Sequence, residues 1–338
     1  MDFKTAQKWL ENARSVLITT HVRPDGDAVG CVIALADTLE RFRNRSGQPC
    51  EILPVFLSEI PEIYHFLLEG WQGRLIEGDE GQQLPKSRLD YYDRVVVVDT
   101  HTAAQLPGLA DYFRARSGGV IVIDHHQAGE QWGHCRLIDT AASATGELIY
   151  RLIEQARWKL ELPAAQCLFA AIGTDSGWFR FESTHWQTFE IAARLVRMGI
   201  EPGELYHRLF ESFPPSRILL GRAVLGSLEL LLDDRLAIQM VSQAMLTETG
   251  AQRWQSENLV NRPLEAAVVT VSILLTELEE DKGTRVSLRS RYGVSVNEIA
   301  QRLGGGGHEQ AAGATLKMPL DQARQRVIDE VSRELATR

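Results

Sequence analysis

Three short apolar runs in this 338-residue chain each end abruptly on a ligand-type side chain. Ser15-Val16-Leu17-Ile18-Thr19-Thr20 runs into His21, and Arg94-Val95-Val96-Val97-Val98 into Asp99. Val120-Ile121-Val122-Ile123 runs into Asp124-His125-His126. Runs of β-branched residues without polar alternation read as strands buried on both faces. Such strands belong to sheets that helices cover on both sides. The intervening segments have helical spacing, as at 28–43, where Val29, Val32, Ile33, Ala36 and Leu39 share a face. The expected fold class is α/β, with an N-terminal doubly wound, mostly parallel sheet. The carboxyl ends of its strands line one edge, so residues roughly a hundred positions apart can meet there.

Other ligand-type residues fall at similar places. After the first run, Pro24 and Gly26 force a tight turn, which puts His21, Asp25 and Asp27 on a strand-to-helix loop. Pro163 opens a helix over 164–174 that delivers Asp175 into Ser176-Gly177. Helices are also expected at 3–13, 61–68, 143–156 and 184–198, and a strand at 51–57. The segment 201–215 contains Pro202, Pro214 and Pro215 and reads as a connector. The expected organisation is a catalytic domain at 1–190, a linker at 191–216 and a second domain at 217–338, with a cleft between the domains. The second domain reads as a smaller α/β unit. It has a helix at 217–232, strands at 235–242, 267–278, 285–291 and 314–318, and helices at 296–303 and 320–336. A charged turn at 279–283 joins two of the strands, and Gly304-Gly305-Gly306-Gly307-His308 follows the first late helix.

Composition narrows the partners. The net charge of −9 offers no basic track for a long nucleic acid, which needs many cations to displace counterions. A short anionic substrate held locally is compatible with it. Cys31, Cys50, Cys135 and Cys167 form no CxxC pair, as expected of thiols in a reducing compartment. No run is long and apolar enough to span a membrane, and the N-terminus is charged throughout, so the cytoplasm is the expected location.

His21, Asp25, Asp27, Asp99, His125 and Asp175 together offer two imidazoles and four carboxylates. Each alone has an ordinary structural reading: a turn histidine, a turn aspartate or a helix cap. Together at one sheet edge the carboxylates repel, and divalent cations relieve that repulsion. Nitrogen and oxygen donors without thiolates suit Mn2+, and less selectively Mg2+, Co2+ or Zn2+. Six donors exceed one ion's needs and suit two ions roughly 3.5–4 Å apart, with a bridging water or hydroxide poised to attack phosphorus. Asp99, between the two ligand clusters, is the expected bridge. In the last third, the glycine run offers bare backbone N–H groups to an anion, though a hinge is the plainer reading. Ser287, Arg289 and Arg291 alternate on one strand face, where an arginine could grip a phosphate or face solvent. His101, His134, His185 and His207 fit no cluster and read as surface or core histidines.

These strings resemble a known family. His21-Val22-Arg23-Pro24-Asp25-Gly26-Asp27-Ala28, Val97-Val98-Asp99, Asp124-His125-His126 and Gly173-Thr174-Asp175 resemble the four motifs of the DHH phosphoesterase superfamily. The glycine run with His308, Ala311, Ala312 and Gly313 resembles the motif of its DHH-associated C-terminal domain. The branch it is similar to is the nanoRNase and pAp-phosphatase one, which degrades oligonucleotides of a few residues and dephosphorylates 3′-phosphoadenosine 5′-phosphate. The resemblance implies one Mn2+ on His21, Asp25 and Asp99 and another on Asp27, Asp99, His125 and Asp175. It implies that Asp124 orients the site and that His126 contacts the scissile phosphate. Arg289, Gly305, Gly306, Gly307 and His308 would bind the rest of the substrate. Short RNA or DNA oligonucleotides and nucleotides are the implied partners, no membrane is involved, and a homodimer stays open. The alternatives are a linear or cyclic dinucleotide phosphodiesterase and a catalytically silent nucleotide-binding regulator. Two stretches depart from the family pattern: residues 127–131 hold no Asn, and residues 100–106 hold no Arg.

Overall fold

The computed structural model describes residues 2–78, 86–116, 118–127, 129–278, 283–291, 293–307 and 309–336. His308 and residues 279–282 of the expected charged turn lie outside the described residues. The chain divides into two units, Met1–Ser212 and Phe213–Arg338.

The first unit contains β1 (Ser15–Thr19), β2 (Glu51–Phe56), β3 (Ile76–Glu77), β4 (Arg94–Val98), β5 (Val120–Asp124) and β6 (Cys135–Ile138). All pair in parallel, in the order β3-β2-β1-β4-β5-β6. Around the sheet are α1 (Phe3–Glu11), α2 (Gly26–Arg45), α3 (Lys86–Asp90), α4 (Ala110–Ala115), α5 (Thr145–Ala156), α6 (Leu162–Asp175), α7 (Trp186–Arg197) and α8 (Pro202–Phe210). Alternate strand residues enter two cores. Val16, Ile18, Val96, Val98, Ile121 and Ile123 pack with residues of α2, α5 and α6. Leu17, Val95, Val97, Val120 and Val122 pack with Leu109 and Phe113 on the opposite side. Burial on both faces is why these strands carry no polar alternation.

The strand order reverses direction between β1 and β4. That gap is the topological switch point, where the connections leave to opposite sides and a crevice opens at the carboxyl ends. His21 and Asp25 follow β1, and Asp99 follows β4. One placement differs from expectation. Asp25 caps α2, its Oδ1 accepting from the Ala28 N–H at 3.0 Å. The helix therefore starts at Gly26, and Asp27 lies in its first turn rather than on the loop. Within the expected connector, α8 buries Leu205 and Leu209 in the first core.

The second unit contains α9 (Pro215–Gly226), β7 (Glu229–Leu231), β8 (Leu236–Val241), α10 (Gln243–Thr249), β9 (Val271–Glu277), β10 (Thr284–Ser290), α11 (Val296–Arg302), β11 (Gly306–Gly307), β12 (Ala311–Leu316) and α12 (Leu320–Ala336). The sheet is mixed, in the order β11-β12-β10-β9-β8-β7, with β8 and β9 parallel and its other pairs antiparallel. One face packs Ile238, Ile273, Val286 and Leu288 against Ile299, Val327 and Val331. The helix expected over 217–232 stops at Gly226. A tight turn through Leu232, Asp233 and Asp234, all at positive φ, makes β7 and β8 a hairpin instead. The glycine run is no open loop, since Gly306 and Gly307 pair with β12 as an edge strand. No helix of the described residues is long and apolar enough to cross a membrane.

Candidate active site

Two histidines have their tautomers set by backbone carbonyls. The Nδ1–H of His21 donates to the Val22 carbonyl at 2.9 Å, and that of His125 to the Ala142 carbonyl at 3.1 Å. Nε2 is then the basic nitrogen of each ring, as a metal-ligating imidazole requires. His21 Nε2 lies 3.4 Å from Asp99 Oδ2 and 4.0 Å from Asp25 Oδ1. His125 Nε2 lies 3.2 Å from Asp175 Oδ2, 3.8 Å from Asp99 Oδ1 and 3.9 Å from Asp27 Oδ2. The donor atoms of His21, Asp25 and Asp99 fall within 4.8 Å of one another, and so do those of Asp27, His125 and Asp175. The six residues lie together; Asp99, His125 and His126 form a third such group, and Asp99 is absent from the group of Asp27, His125 and Asp175.

Asp99 joins the groups. It sits just past β4 with φ 62°, a left-handed conformation that aspartate tolerates better than most residues. Its amide donates to the Ile123 carbonyl at 2.9 Å. This turn directs Oδ2 at His21 and Oδ1 at His125. Two residues unseen in the sequence hold the carboxylates. At the N-terminus of α5, the Thr145 and Gly146 amides donate to the two oxygens of Asp27 at 2.6 and 2.9 Å. The Thr145 hydroxyl donates to Asp99 Oδ1 at 2.9 Å. The buried Cys31 thiol donates to Asp27 Oδ1 at 3.2 Å, and burial and the Asp27 charge push its pKa well up.

The electrostatics call for cations. Burial, then the charges of Asp99, Asp175 and Asp25, pushes the Asp27 carboxyl well above its usual range. Asp99 is raised by burial and by Asp25. Burial and the nearby His126 lower His125 to about 4, so its ring is neutral at neutral pH. Two buried acids that resist ionising, beside the neutral His125 ring with its basic nitrogen inward, fit divalent metal ions.

Asp124, the first residue of the triplet, does another job. Asp124 is fully buried. Its Oδ1 accepts from the His125 and His126 amides at 2.7 and 3.1 Å and from His126 Nδ1 at 2.8 Å. Its Oδ2 accepts from His101 Nδ1. Burial opposes its ionisation, but the hydrogen bonds from His101 and His126 outweigh that and hold it far below the usual range. Burial would lower His126, yet its bond to Asp124 raises it to about 10. His101, read from the sequence as a surface or core histidine, is thus buried within the site. Its position two residues beyond Asp99 was the available signal. His185 caps α7 and donates Nε2–H to the Ala141 carbonyl at 2.8 Å.

In the second unit, Arg289 lies on β10 and Gly305, Gly306 and Gly307 at or on β11. Arg291, offered as a phosphate grip, instead braces the chain. Its Nε donates to the Val269 carbonyl at 3.0 Å, and its Nη2 to the carbonyls of Leu264 and Ala266.

Residues 15–172 match the DHH family, N-terminal domain, and residues 233–337 match the DHHA1 domain. A bifunctional oligoribonuclease and PAP phosphatase of Thermus thermophilus is 33% identical over 95% of this chain and 90% of its own length. A cyclic-di-AMP phosphodiesterase of Geobacillus thermodenitrificans is 26% identical over 89% of this chain and 44% of its own. The fold is that of an exopolyphosphatase-related protein from Bacteroides fragilis, with TM-score 0.86 at 23% identity, covering 98% of this chain and 95% of that one.

Proposed function

The chain belongs to the DHH family and is a hydrolase of phosphodiester bonds, and on that premise we propose that it is a Mn2+-dependent nanoRNase and pAp phosphatase. It would release nucleoside monophosphates from short oligoribonucleotides and convert 3′-phosphoadenosine 5′-phosphate to AMP. The observation that carries the reading is Asp99, whose two oxygens face the two ligand groups. His21, Asp25 and Asp99 would hold one divalent cation, and Asp27, Asp99, His125 and Asp175 the other. Two bound ions would neutralise phosphoryl charge and lower the pKa of an attacking water.

The chain's own residues do the rest. Thr145 and Gly146 fix the Asp27 carboxylate, and Thr145 that of Asp99, so the ligands need little rearrangement. Asp124 engages His126 Nδ1 and keeps the ring protonated, which leaves Nε2–H to meet a phosphoryl or leaving oxygen. In the second unit, Arg289 and the amides of Gly305, Gly306 and Gly307, with His308, would bind substrate. The net charge of −9 favours short substrates over long strands. A second reading, hydrolysis of linear or cyclic dinucleotides, is favoured by the likeness to the cyclic-di-AMP phosphodiesterase.

The test is one substrate panel with Mn2+, Mg2+ or Co2+: pAp, RNA dimers to pentamers, a long single strand, cyclic di-AMP and pyrophosphate. Release of monophosphates from the short RNAs and of phosphate from pAp, fastest with Mn2+, is expected. Faster turnover of the long strand, or turnover of pyrophosphate alone, overturns the reading. Turnover of cyclic di-AMP alone selects the second reading, and turnover of none leaves the silent regulator.

A further inference from the structure

We infer that His101 is a positioning residue for the reaction: it locks the Asp124 carboxylate, and through it the ring of His126. Asp124 has two oxygens with different keepers. Its Oδ1 is held by three donors, all from His125 and His126, the next two residues in the chain. A carboxylate gripped at one oxygen by its own turn can still swing about that point. His101 Nδ1, which follows β4, is the donor to Oδ2 among the described residues and is 23 residues away in sequence. It stops that swing and satisfies an oxygen that would otherwise be buried without a partner among the described residues.

His101 is itself anchored rather than draped. It is buried, and its carbonyl accepts from Trp132 Nε1 and from the Glu130 amide, both at 2.9 Å. Its ring lies so close to Gly129 that a Cβ there would come within 2.0 Å of Cδ2. Gly129 therefore has a steric reason to be glycine, and that reason is the seat of this ring. The contact ties the segment after β4 to the segment after β5. His101 lies outside all three groups of candidate ligands, so its effect on chemistry passes through Asp124.

The inference rests on the proposed phosphoesterase activity for its kinetic arm, and a second arm is independent of activity. His101→Phe keeps a flat ring and removes the donor, while His101→Asn returns an N–H near the same place. For the better of pAp and an RNA trimer, His101→Phe is expected to lower kcat about 10–100-fold with KM little changed. His101→Asn should recover most of the loss, and Gly129→Ala should lower kcat in the same way by displacing the ring. Wild-type kcat in His101→Phe, or equal impairment of the Phe and Asn variants, overturns the inference. If wild-type protein hydrolyses nothing, the proposed function fails, but metal-free histidine-labelled protein still decides this point by NMR. His101→Phe should remove one strongly deshielded ring N–H proton and shift the His126 ring signals, with His101→Asn bringing the His126 signals back. Unmoved His126 signals overturn the inference.

Discussion

Asp99 carries two constraints in one residue. Its left-handed backbone aims the carboxylate, and its charge must survive full burial beside other acids. Asp99→Asn separates the two, because asparagine adopts the same backbone conformation at equally low cost. The variant should keep the fold and lose roughly 100-fold or more in kcat, beyond the range seen when only a supporting partner is removed. Without metal it should melt above the wild type, since one repelling carboxylate is gone. A metal-free melting temperature at or below wild type, with activity retained, would falsify the bridging role. The six clustered His and Asp residues were legible as candidates because each sits beside an apolar run or a helix end. Thr145 and His101 were not, because what they hold lies 46 and 23 residues away and has meaning only across strands.

The edge strand β11 shows how an element can mislead. A run of four glycines suggests a flexible, ligand-facing loop, but two of them have packing reasons. A Cβ on Gly305 would fall 2.0 Å from the Gly313 carbonyl oxygen, and one on Gly307, at φ 148°, 2.5 Å from that of Ala311. Gly306 is different, for among the described residues its Cβ would meet only Asn297 Oδ1 at 3.9 Å. Gly305→Ala should thus destabilise the second unit by about 1–3 kcal/mol. Gly306→Ala should melt like wild type yet raise KM roughly tenfold, because the added methyl, which leaves the N–H in place, hinders close approach of an anion to the backbone. An unchanged KM for Gly306→Ala would remove this strand from the substrate site. The helices were harder to bound than the strands. At α2 the Asp25 cap moved the start forward, and at α9 three residues at positive φ produced a hairpin that no glycine announced.

For the whole molecule, the coupled acids and His126 make stability depend on pH and metal together. Asp27 and Asp99 have raised pKa values, so the native state keeps protons that the unfolded chain sheds above roughly pH 4. Their effect is to remove stability as pH rises. His126, at about 10 when folded, contributes fully below its unfolded value of roughly 6.5, and that contribution is lost as pH rises through about 10. The directions agree, so metal-free protein should lose melting temperature steadily from about pH 7 to about pH 10. Mn2+ at about pH 7.5 and 100-fold over its Kd should restore roughly 2.7 kcal/mol, and Asp99→Asn should lose most of that gain. Calorimetry checks both, and a metal-free melting temperature that rises over this interval would contradict the buried acid cluster. The sequence by itself determined the α/β class, the strands and the six candidate residues at their ends, because apolar runs with polar ends reflect burial that acts on each segment locally. The tertiary structure alone decided the strand order that opens the crevice between β1 and β4, the direction of each Asp99 oxygen and the histidine tautomers. It also decided the pairing of Asp27 with Thr145, 118 residues apart. These follow from register and hydrogen bonds between distant segments, whose geometry exists only once the sheet is assembled.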